Sequence, residues 1–118
     1  MNLVSIIMTC FNGEVFLKKA VESIISQTHQ NWELIFVDNN STDKSETIIK
    51  SFSDQRIKYF KSNTLVNLGS IRKLAYSKCQ GHFICFLDVD DYWSKYKLEK
   101  QIKIFEMNES IDVVSSNY

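Results

Sequence analysis

Segments with the patterning of β-strands alternate with segments with the patterning of α-helices along the whole chain. Short apolar runs rich in β-branched and aromatic residues are typical of buried strands, and apolar residues repeated every three or four positions are typical of amphipathic helices. The helix pattern is clearest where Leu17, Ala20, Val21, Ile24 and Ile25 recur. Because parallel strands need crossover connections, this order predicts an α/β fold with a mainly parallel central sheet.

The predicted order is β-α-β-α-β-α-β-α-β. The predicted strands are Leu3–Met8, Trp32–Val37, Ile57–Phe60, Phe83–Leu87 and a fifth that begins at Ile111–Val114. The predicted helices are Leu17–Ile25, Asp43–Phe52, Ile71–Lys78 and Leu98–Phe105. Asp43 and Glu46 have the spacing of a capping box at the start of the second helix. The apolar run Phe83–Leu87 is typical of a strand that is buried on both faces of a sheet.

The composition excludes several classes of protein. A chain of 118 residues is long enough for one domain with a hydrophobic core. Its 14 basic and 14 acidic residues balance, which argues against a surface dominated by nucleic-acid binding. No apolar run approaches the roughly 20 residues of a membrane span, and the strand-like run at Leu3 leaves no room for a signal peptide. Three cysteines without a C-x-x-C motif predict reduced thiols in a cytosolic protein.

Three carboxylates, Asp88, Asp90 and Asp91, follow the run Phe83–Leu87 within four positions. Like charges at short range oppose one another's ionisation, and a hard divalent cation among the oxygens relieves that repulsion. In an open α/β sheet the carboxyl end of a strand is also where ligands bind. The stretch therefore predicts a Mg²⁺ or Mn²⁺ site for a phosphorylated ligand; the alternative is a solvated acidic turn.

Polar breaks follow the strands, and in a parallel sheet the carboxyl ends of all strands lie at one edge. The breaks are Phe11-Asn12, Asp38-Asn39, Asn67-Leu68-Gly69, which lies further into its loop, and Asp88-Val89-Asp90. The sequence thus predicts a single site built from four loops, in which a nucleotide can bind. The chain contains no G-x-G-x-x-G after the first strand and no G-K-[ST], so a dinucleotide-binding Rossmann domain and a P-loop enzyme are both disfavoured.

Without phosphate-binding glycine loops, a diphosphate must be neutralised by other groups. A metal on Asp88 and Asp90 does so, and Arg72 is a candidate second cation. Phe11 can stack on a base, while Asp38 or Asn39 can hydrogen-bond the edge of that base. Ordinary roles stay open for single residues. Phe11 can be a hydrophobic staple, Arg72 a solvated helix residue, and Asn67-Leu68-Gly69 a turn in which glycine takes a positive φ.

Four motifs, taken together and in this order, resemble the signatures of family-two glycosyltransferases, which are inverting enzymes of the GT-A fold. The motifs are Val4–Asn12, Val37–Asp43, Asn67–Gly69 and Asp88–Trp93, and Gln27-Thr28 with Trp32-Glu33 also fits. The resemblance covers nearly the whole chain. It implies a GT-A-like (Rossmann-like) three-layer sandwich. It further implies transfer of a sugar from a nucleotide-diphospho-sugar, expected to be a UDP-sugar, to a carbohydrate or lipid-linked acceptor.

The resemblance also implies roles for single residues. The implied nucleotide-binding residues are Thr9, Phe11, Asn12, Asp38, Asn39, Asn67, Gly69, Arg72 and Asp88. Asp88 and Asp90 match the D-x-D that holds ribose and metal, with Asp90 the better metal ligand. Asp91 and Trp93 match positions on the donor-sugar or acceptor side. Asn39 stands where an Asp often meets the N3–H of uracil; an amide oxygen can also accept that bond, but without charge.

The catalytic base is not assigned by the motifs. Inverting transfer needs a carboxylate that deprotonates the acceptor hydroxyl, and in the family that residue lies beyond the segment that this chain matches. Asp91 is the candidate within the chain. We expect residues 1–118 to form a single nucleotide-sugar-binding domain, the N-terminal part of a longer cytoplasmic glycosyltransferase of polysaccharide and cell-envelope biosynthesis. Nucleic acid is not an expected partner, whereas a homodimer and peripheral association with the cytoplasmic face of the membrane are.

Two other functions stay open. The chain can be a non-catalytic module that binds a nucleotide-sugar, since every donor-side feature is shared with the enzyme. A haloacid-dehalogenase-like phosphatase also carries D-x-D after a buried strand, with the first Asp as nucleophile. In that family the motif follows the first strand, whereas here Asp88 and Asp90 follow the fourth predicted strand.

Overall fold

The computed structural model describes residues 2–114, which form four strands alternating with four helices. The strands are β1 Val4–Cys10, β2 Trp32–Asp38, β3 Ile57–Lys61 and β4 Phe83–Phe86. The helices are α1 Leu17–Ile25, α2 Ser45–Lys50, α3 Leu68–Ser77 and α4 Lys97–Met107. The predicted α/β fold is confirmed.

The four strands form one parallel sheet in the order β3-β2-β1-β4. In the register of the central pair, Cys10 lies opposite Asp38. On the other side of β1, Ile7 lies opposite Phe86. The chain therefore leaves β1 and β2 at the same level, and the loops that follow these strands start side by side.

Helices cover both faces of the sheet. Ile6 and Met8 of β1 belong to a core cluster shared with α1, α2 and α4, whereas Ile7 belongs to a smaller cluster shared with α3. The alternation follows from strand geometry, in which successive side chains point to opposite faces. The predicted three-layer sandwich is confirmed, with α3 on one face and the other three helices on the opposite face.

The prediction that Phe83–Leu87 is buried on both faces is wrong. β4 is the last strand in the sheet order, and its side chains alternate between the core and solvent. Phe83 packs against the ring of Phe105 in α4, with the ring centroids 4.8 Å apart. Ile84 and Phe86, which point to the opposite face, are 38% and 53% exposed. The reason is that, within residues 2–114, the one helix on this face of the sheet, α3, packs over β1 and β2 and leaves β4 without a helix above it.

Two further local predictions are corrected. Ile111–Val114 has no strand structure; residues 115–118, into which that strand was expected to continue, lie outside the described residues. Gly69 lies inside α3, and no glycine in residues 2–114 has a positive φ. Instead, Asn67 caps α3, its Oδ1 accepting a hydrogen bond from the Ser70 N–H at 2.8 Å.

The predicted capping box at α2 is also wrong. The Asp43 carboxylate accepts a hydrogen bond from the Ser45 N–H at 2.9 Å, so it does stabilise the start of the helix. The Glu46 carboxylate, however, pairs with Lys50 at 2.7 Å and Lys61 at 3.3 Å. Because both Glu46 oxygens are engaged by lysines, the reciprocal bond to the backbone that defines a capping box does not form.

A buried carboxylate joins the strands near their amino ends. Glu33 of β2 accepts hydrogen bonds from Ser5 Oγ at 2.6 Å and from the Gln80 N–H at 2.7 Å, and it pairs with Lys58 at 2.7 Å. Desolvation raises the pKa of Glu33, but the hydrogen bonds from Lys58, Ser5 and Gln80 outweigh it, and the net pKa is lowered. The Gly81 N–H completes the group by donating to Ser5 Oγ at 2.8 Å.

Within residues 2–114, no helix combines the length and the apolar character that crossing a membrane requires.

We expect Gly81→Ala to destabilise the fold. A Cβ atom at Gly81 would lie 2.6 Å from Ser5 Oγ and 2.7 Å from the Leu3 carbonyl oxygen, which is too close for any side chain. Overpacking of this kind costs about 1–3 kcal/mol in the free energy of unfolding. Urea denaturation of the variant and the unaltered chain is the measurement that checks it.

Gly69→Ala is the matched control. The nearest atom to a Cβ at Gly69 is Asn67 Oδ1 at 3.5 Å, and the residue is helical. Alanine there is expected to raise the free energy of unfolding by about 0.4–1 kcal/mol. Equal effects of the two substitutions would contradict the assignment of the Gly81 contact.

Candidate functional site

The loops after β1 and β2 are joined by one asparagine. Asn12 has a left-handed backbone, with φ 52°, a conformation that asparagine tolerates better than most residues. Its N–H donates to Ser41 Oγ at 2.9 Å, and its Oδ1 accepts from the N–H groups of Thr42 at 2.8 Å and Asp43 at 3.3 Å. A predicted nucleotide-site residue therefore holds two loops of the carboxyl edge together.

Asp43 and Ser45 extend this junction. The Gly13 N–H donates to Ser45 Oγ at 2.9 Å, and the Glu14 N–H donates to Asp43 Oδ2 at 3.0 Å. Desolvation raises the pKa of Asp43, but its hydrogen bonds with Ser45 and Glu14 outweigh that effect and lower the pKa. An ionised Asp43 thus bridges the segment before α1 and the start of α2.

Asp38, at the end of β2, is fully buried at 0% exposure. Its Oδ1 accepts from the Ser41 N–H at 3.0 Å, and its Oδ2 accepts from the Tyr59 hydroxyl at 3.2 Å. Burial, together with the charges of Asp38 and Glu46, raises the pKa of Tyr59, so the phenol stays protonated and donates to Asp38. The carboxylate therefore fixes the loop that it begins.

Asn39 connects the second loop to the loop between β3 and α3. Its N–H donates to the Cys10 carbonyl at 2.7 Å. Its side chain makes two bonds to Val66, with Nδ2 donating to the carbonyl at 2.8 Å and Oδ1 accepting from the N–H at 3.0 Å. Only an amide can make both bonds, because a carboxylate has no donor for the carbonyl. Asn67, the cap of α3, comes directly after this fixed residue.

The loop after β4 lies against the loop after β1. A Cβ atom at Gly13 would lie 2.6 Å from the Val89 side chain, so the absence of a side chain allows this approach. Beside the fourth loop, a cavity of about 270 Å³ opens between α3 and the end of β4. The residues that line the cavity are Arg72, Phe86, Leu87, Asp88 and Asp91. The Arg72 guanidinium lies 5.6 Å from the centroid of the Phe86 ring.

The carboxylates of the acidic turn are exposed to solvent. Asp88, Asp90 and Asp91 are all exposed, and the Asp91 N–H closes the turn on the Asp88 carbonyl at 3.0 Å. Asp91 Oδ1 accepts from the Tyr92 N–H at 2.8 Å, whereas the side chains of Asp88 and Asp90 make no hydrogen bond within residues 2–114. Their free oxygens are the donors that Mg²⁺ and Mn²⁺ prefer.

A metal here needs oxygen ligands from the bound molecule. In the described part of the chain, no three His, Cys, Asp or Glu side chains converge closely enough to hold an ion by themselves. Asp88 and Asp90 can supply two ligands, and a diphosphate is the natural source of the others, since Mg²⁺ is commonly bound by one or two carboxylates and substrate phosphates. The donor set thus fits a divalent cation held jointly with a phosphorylated ligand.

The remaining predicted residues have distinct positions. Thr9 lies at the end of β1 and is half-buried, and Phe11 is 50% exposed at the start of the first loop, where its ring is accessible to a ligand. Trp93 is 4% exposed and belongs to the hydrophobic core. The Trp93 indole was expected to line an open donor-sugar or acceptor surface. In the structure it lies instead among core side chains behind the acidic turn.

Some residues that hold the site together were not predicted from the sequence. Ser41 lies inside the motif Val37–Asp43 but had no predicted role, and Ser45 lies two residues after that motif. Tyr59 gave no signal at all, because its apolar strand pattern indicates packing rather than a hydrogen bond to Asp38. Polar residues directly after a buried strand are the one sequence feature that points to such loop contacts.

Thiol chemistry is not supported at this edge. Burial raises the pKa of Cys10, at the end of β1, and raises the pKa of Cys85 to about 12. Both thiols are therefore protonated at neutral pH, and all three cysteines are free, as expected.

Comparison with known sequences identifies a set of glycosyltransferases. The chain is 39% identical over 120 residues to an uncharacterized glycosyltransferase of Haemophilus influenzae, covering 100% of this chain and 48% of that protein. It is 38% identical over 116 residues to the Escherichia coli UDP-Glc:alpha-D-GlcNAc-diphosphoundecaprenol beta-1,3-glucosyltransferase WfgD, covering 98% and 46%. The chain thus spans about half the length of the curated relatives it matches.

Comparison with solved structures gives the same fold. S. aureus TarS 1-349 in complex with UDP-GlcNAc superposes with a TM-score of 0.87 and 25% sequence identity, over 92% of this chain and 32% of that chain. The GT-A fold expected from the motifs is confirmed. The family model of glycosyl transferase family 2 matches residues 5–118. This chain belongs to glycosyl transferase family 2.

Proposed function

We propose that this chain forms the donor-binding part of an inverting glycosyltransferase that uses a UDP-sugar with Mg²⁺ or Mn²⁺. The observation that carries the proposal is the cavity at the carboxyl edge, where Arg72 and Asp88 line the same space. A cation and free carboxylate oxygens around one cavity suit a diphosphate held partly by a metal. UDP-Glc in the name of WfgD and UDP-GlcNAc bound in the TarS structure support uridine as the base.

The residues divide the work by their chemistry. The exposed ring of Phe11 is the surface on which a base can stack. Arg72 can neutralise one charge of the diphosphate, and a divalent cation on Asp88 and Asp90 would polarise the bond to the leaving diphosphate. Asp91, also at the cavity, is the candidate in this chain for the carboxylate that deprotonates the acceptor.

The acceptor is proposed from the relatives. WfgD is named for transfer to a diphosphoundecaprenol-linked sugar, and another relative, TuaG of Bacillus subtilis, is named for teichuronic acid biosynthesis. We propose a lipid-linked acceptor of envelope polysaccharide synthesis, used at the cytoplasmic face of the membrane. The homodimer stays a prediction; the exposed Ile84 on the edge strand β4 lies on the surface that a partner would cover.

The phosphatase alternative is disfavoured and the non-catalytic alternative is open to test. The D-x-D follows β4 at the end of the sheet, after three other strands, and the family match covers nearly the whole chain. A module that only binds a nucleotide-sugar shares the donor site, so it differs from the enzyme in turnover alone.

We expect UDP to bind in a Mn²⁺-dependent manner, measured by calorimetry with Mn²⁺ and with chelator. Asp90→Ala should lower the affinity in Mn²⁺ by at least about tenfold, because contacts to charged groups are each worth about 1.5–3 kcal/mol. Glu109→Ala, which removes an exposed carboxylate outside the site, is the control and should bind as the unaltered chain does.

Equal UDP affinity in Mn²⁺ and in chelator would contradict the metal site. Tighter binding of GDP than of UDP would contradict the choice of base but leave the metal site standing. The two parts of the proposal are therefore tested separately in one set of titrations.

Asn39→Asp is expected to lower the free energy of unfolding, although Asp is the residue that is common at this position in the family. A carboxylate at this position would face the Val66 carbonyl in place of the Nδ2 donor, leaving that acceptor unpaired and adding repulsion. We expect a loss of about 1–3 kcal/mol in the free energy of unfolding and faster exchange of the Val66 N–H.

Asn40→Asp is the matched control for charge. Asn40 is the next residue and also has a left-handed backbone, with φ 60°, which aspartate tolerates. It should change the free energy of unfolding by less than about 0.5 kcal/mol. If both aspartate variants lose the same stability, added negative charge at this edge is the cause, and the Val66 bonds are not.

Residues 1–118 alone should transfer sugar poorly even when they bind the donor. General-base catalysis contributes about 10²–10⁴-fold, and acceptor positioning contributes further. With UDP-Glc and a diphosphoundecaprenol-linked GlcNAc acceptor, we expect transfer at least about 10²-fold slower than by WfgD. A comparable rate that is lost in Asp91→Asn would instead place the general base within this chain.

A further inference from the structure

Three side chains on one face of α1 and its C-terminal extension contact the segment that follows the acidic turn. Lys19, Ser23 and Gln27 are spaced four positions apart, so they form a row along the helix. We call these three residues the α1 row. Each contacts a different part of the segment from Tyr92 to the start of α4.

Ser23 holds the backbone directly behind the acidic turn. Its buried hydroxyl donates to the Ala20 carbonyl at 2.7 Å and accepts from the Trp93 N–H at 3.1 Å. Trp93 comes two residues after Asp91, and its side chain is fixed in the core. One hydroxyl therefore fixes the backbone at the point where the turn re-enters the fold.

Gln27 continues this anchoring towards α4. It is almost completely buried, and its Nε2 donates to the Ser94 carbonyl at 2.7 Å and to the Ser23 carbonyl at 3.0 Å. Its Oε1 accepts from the Leu98 N–H at 3.1 Å, which satisfies a free donor in the first turn of α4. The amide uses both of its ends, so neither Glu nor a shorter side chain can replace it.

Lys19 acts at the exposed end of the row. Its Nζ lies 3.9 Å from the centroid of the Tyr92 ring, a cation–π distance. On the other side of the turn, the Leu87 N–H donates to the Ile7 carbonyl of β1 at 3.0 Å. The acidic turn is thus anchored before Asp88 by the sheet and after Asp91 by the α1 row.

Between these anchors, the carboxylates have little to fix them. The turn has its own backbone hydrogen bond from Asp91 to Asp88, and Asp91 accepts from the Tyr92 N–H. The Asp88 and Asp90 side chains make no hydrogen bond to any residue from 2 to 114. Their directions are therefore set by the backbone, which is held at each end of the turn and, within it, by Val89 packed against Gly13 and the core.

We propose that Lys19, Ser23 and Gln27 are positioning residues for the Asp88–Asp91 turn and thereby for metal-dependent donor binding. The proposal rests on the donor and metal site proposed above. None of the three side chains belongs to the predicted donor site; each acts by holding the segment from which the carboxylates project. Loss of an anchor should weaken the metal-dependent part of UDP binding and leave the metal-independent part unchanged.

Ser23→Ala with Ser26→Ala as control tests the proposal most directly. Ser26 is three positions on, at the end of α1, and its hydroxyl also donates to a carbonyl of the helix, that of Glu22 at 3.0 Å. It does not contact the acidic turn. The pair differs in the bond to the Trp93 N–H and also in burial, since Ser23 is buried and Ser26 is exposed.

Two measurements are compared on the whole chain. Without nucleotide, hydrogen exchange of the Trp93 N–H should be about five- to tenfold faster in Ser23→Ala than in Ser26→Ala, which should match the unaltered protein. In Mn²⁺, Ser23→Ala should lower UDP affinity by about the same factor, with no change in chelator. In an Asp90→Ala background, Ser23→Ala should have no further effect on UDP affinity.

Lys19→Met is a second variant that leaves the buried core intact. It keeps the length of the side chain and removes the charge over Tyr92, and Lys18→Met, at an exposed neighbouring position, is its control. We expect Lys19→Met to lower UDP affinity in Mn²⁺ about two- to fivefold relative to Lys18→Met, since exposed cation–π contacts are modest.

The proposal is overturned if Ser23→Ala and Ser26→Ala exchange equally at Trp93. It is also overturned if Ser23→Ala weakens UDP binding equally in Mn²⁺ and in chelator, because that is a general structural effect. If the unaltered chain binds UDP without any dependence on Mn²⁺, the proposed metal function fails, and the exchange result alone decides whether the α1 row positions the turn.

Discussion

The burial of β1 and β2 on both faces is the constraint on which the rest of the structure depends. These strands lie at the centre of a parallel sheet, and their register places Cys10 opposite Asp38, so two loops begin at one level. Polar groups at these strand ends need partners, since an unpaired buried group costs about 1–3 kcal/mol. The bonds of the buried Asp38 and Asn39 meet that need. Those of Asn39 and of the exposed Asn12 also join neighbouring loops. The loops at the carboxyl edge are therefore held together because the burial of β1 and β2 requires the polar groups at their ends to be paired.

The strands, the helices and the edge at which their loops meet could largely be predicted, because they depend on local sequence patterns. The apolar run of β1 and the three- and four-residue spacing of apolar residues in α1 indicate which side chains are buried. This is because the strand or helix period decides whether a side chain points to the core or to solvent. Once the strands are parallel, their carboxyl ends must lie at one edge, so the meeting of the loops follows without knowledge of any contact. Loop position is therefore predictable from topology, even where loop structure is not.

The features that could not be predicted depend on partners far away in the sequence. The apolar run of β4 is the same in an edge strand and in a central strand; the difference lies in what covers Ile84 and Phe86. Trp93 was expected at the site because it matches a family position after the D-x-D, but its side chain lies in the core and its backbone bonds to Ser23, 70 positions earlier. Asn67 and Gly69 suggested a turn, and the Asn67 cap made the same residues the start of a helix.

The acidic turn shows how repelling charges can be kept in place. Unit charges 4 Å apart interact by about 1 kcal/mol in water and by several times more near or within protein. Because Asp88, Asp90 and Asp91 are all exposed, solvent weakens the repulsion among them. Exposure, however, deprives Asp88 and Asp90 of protein partners that would order them. Order must then come from the backbone, which β1 fixes before the turn, Val89 holds within it, and Ser23 fixes after it. A turn anchored in this way suits a cation held with a diphosphate, because binding needs to order only the side chains and not the loop.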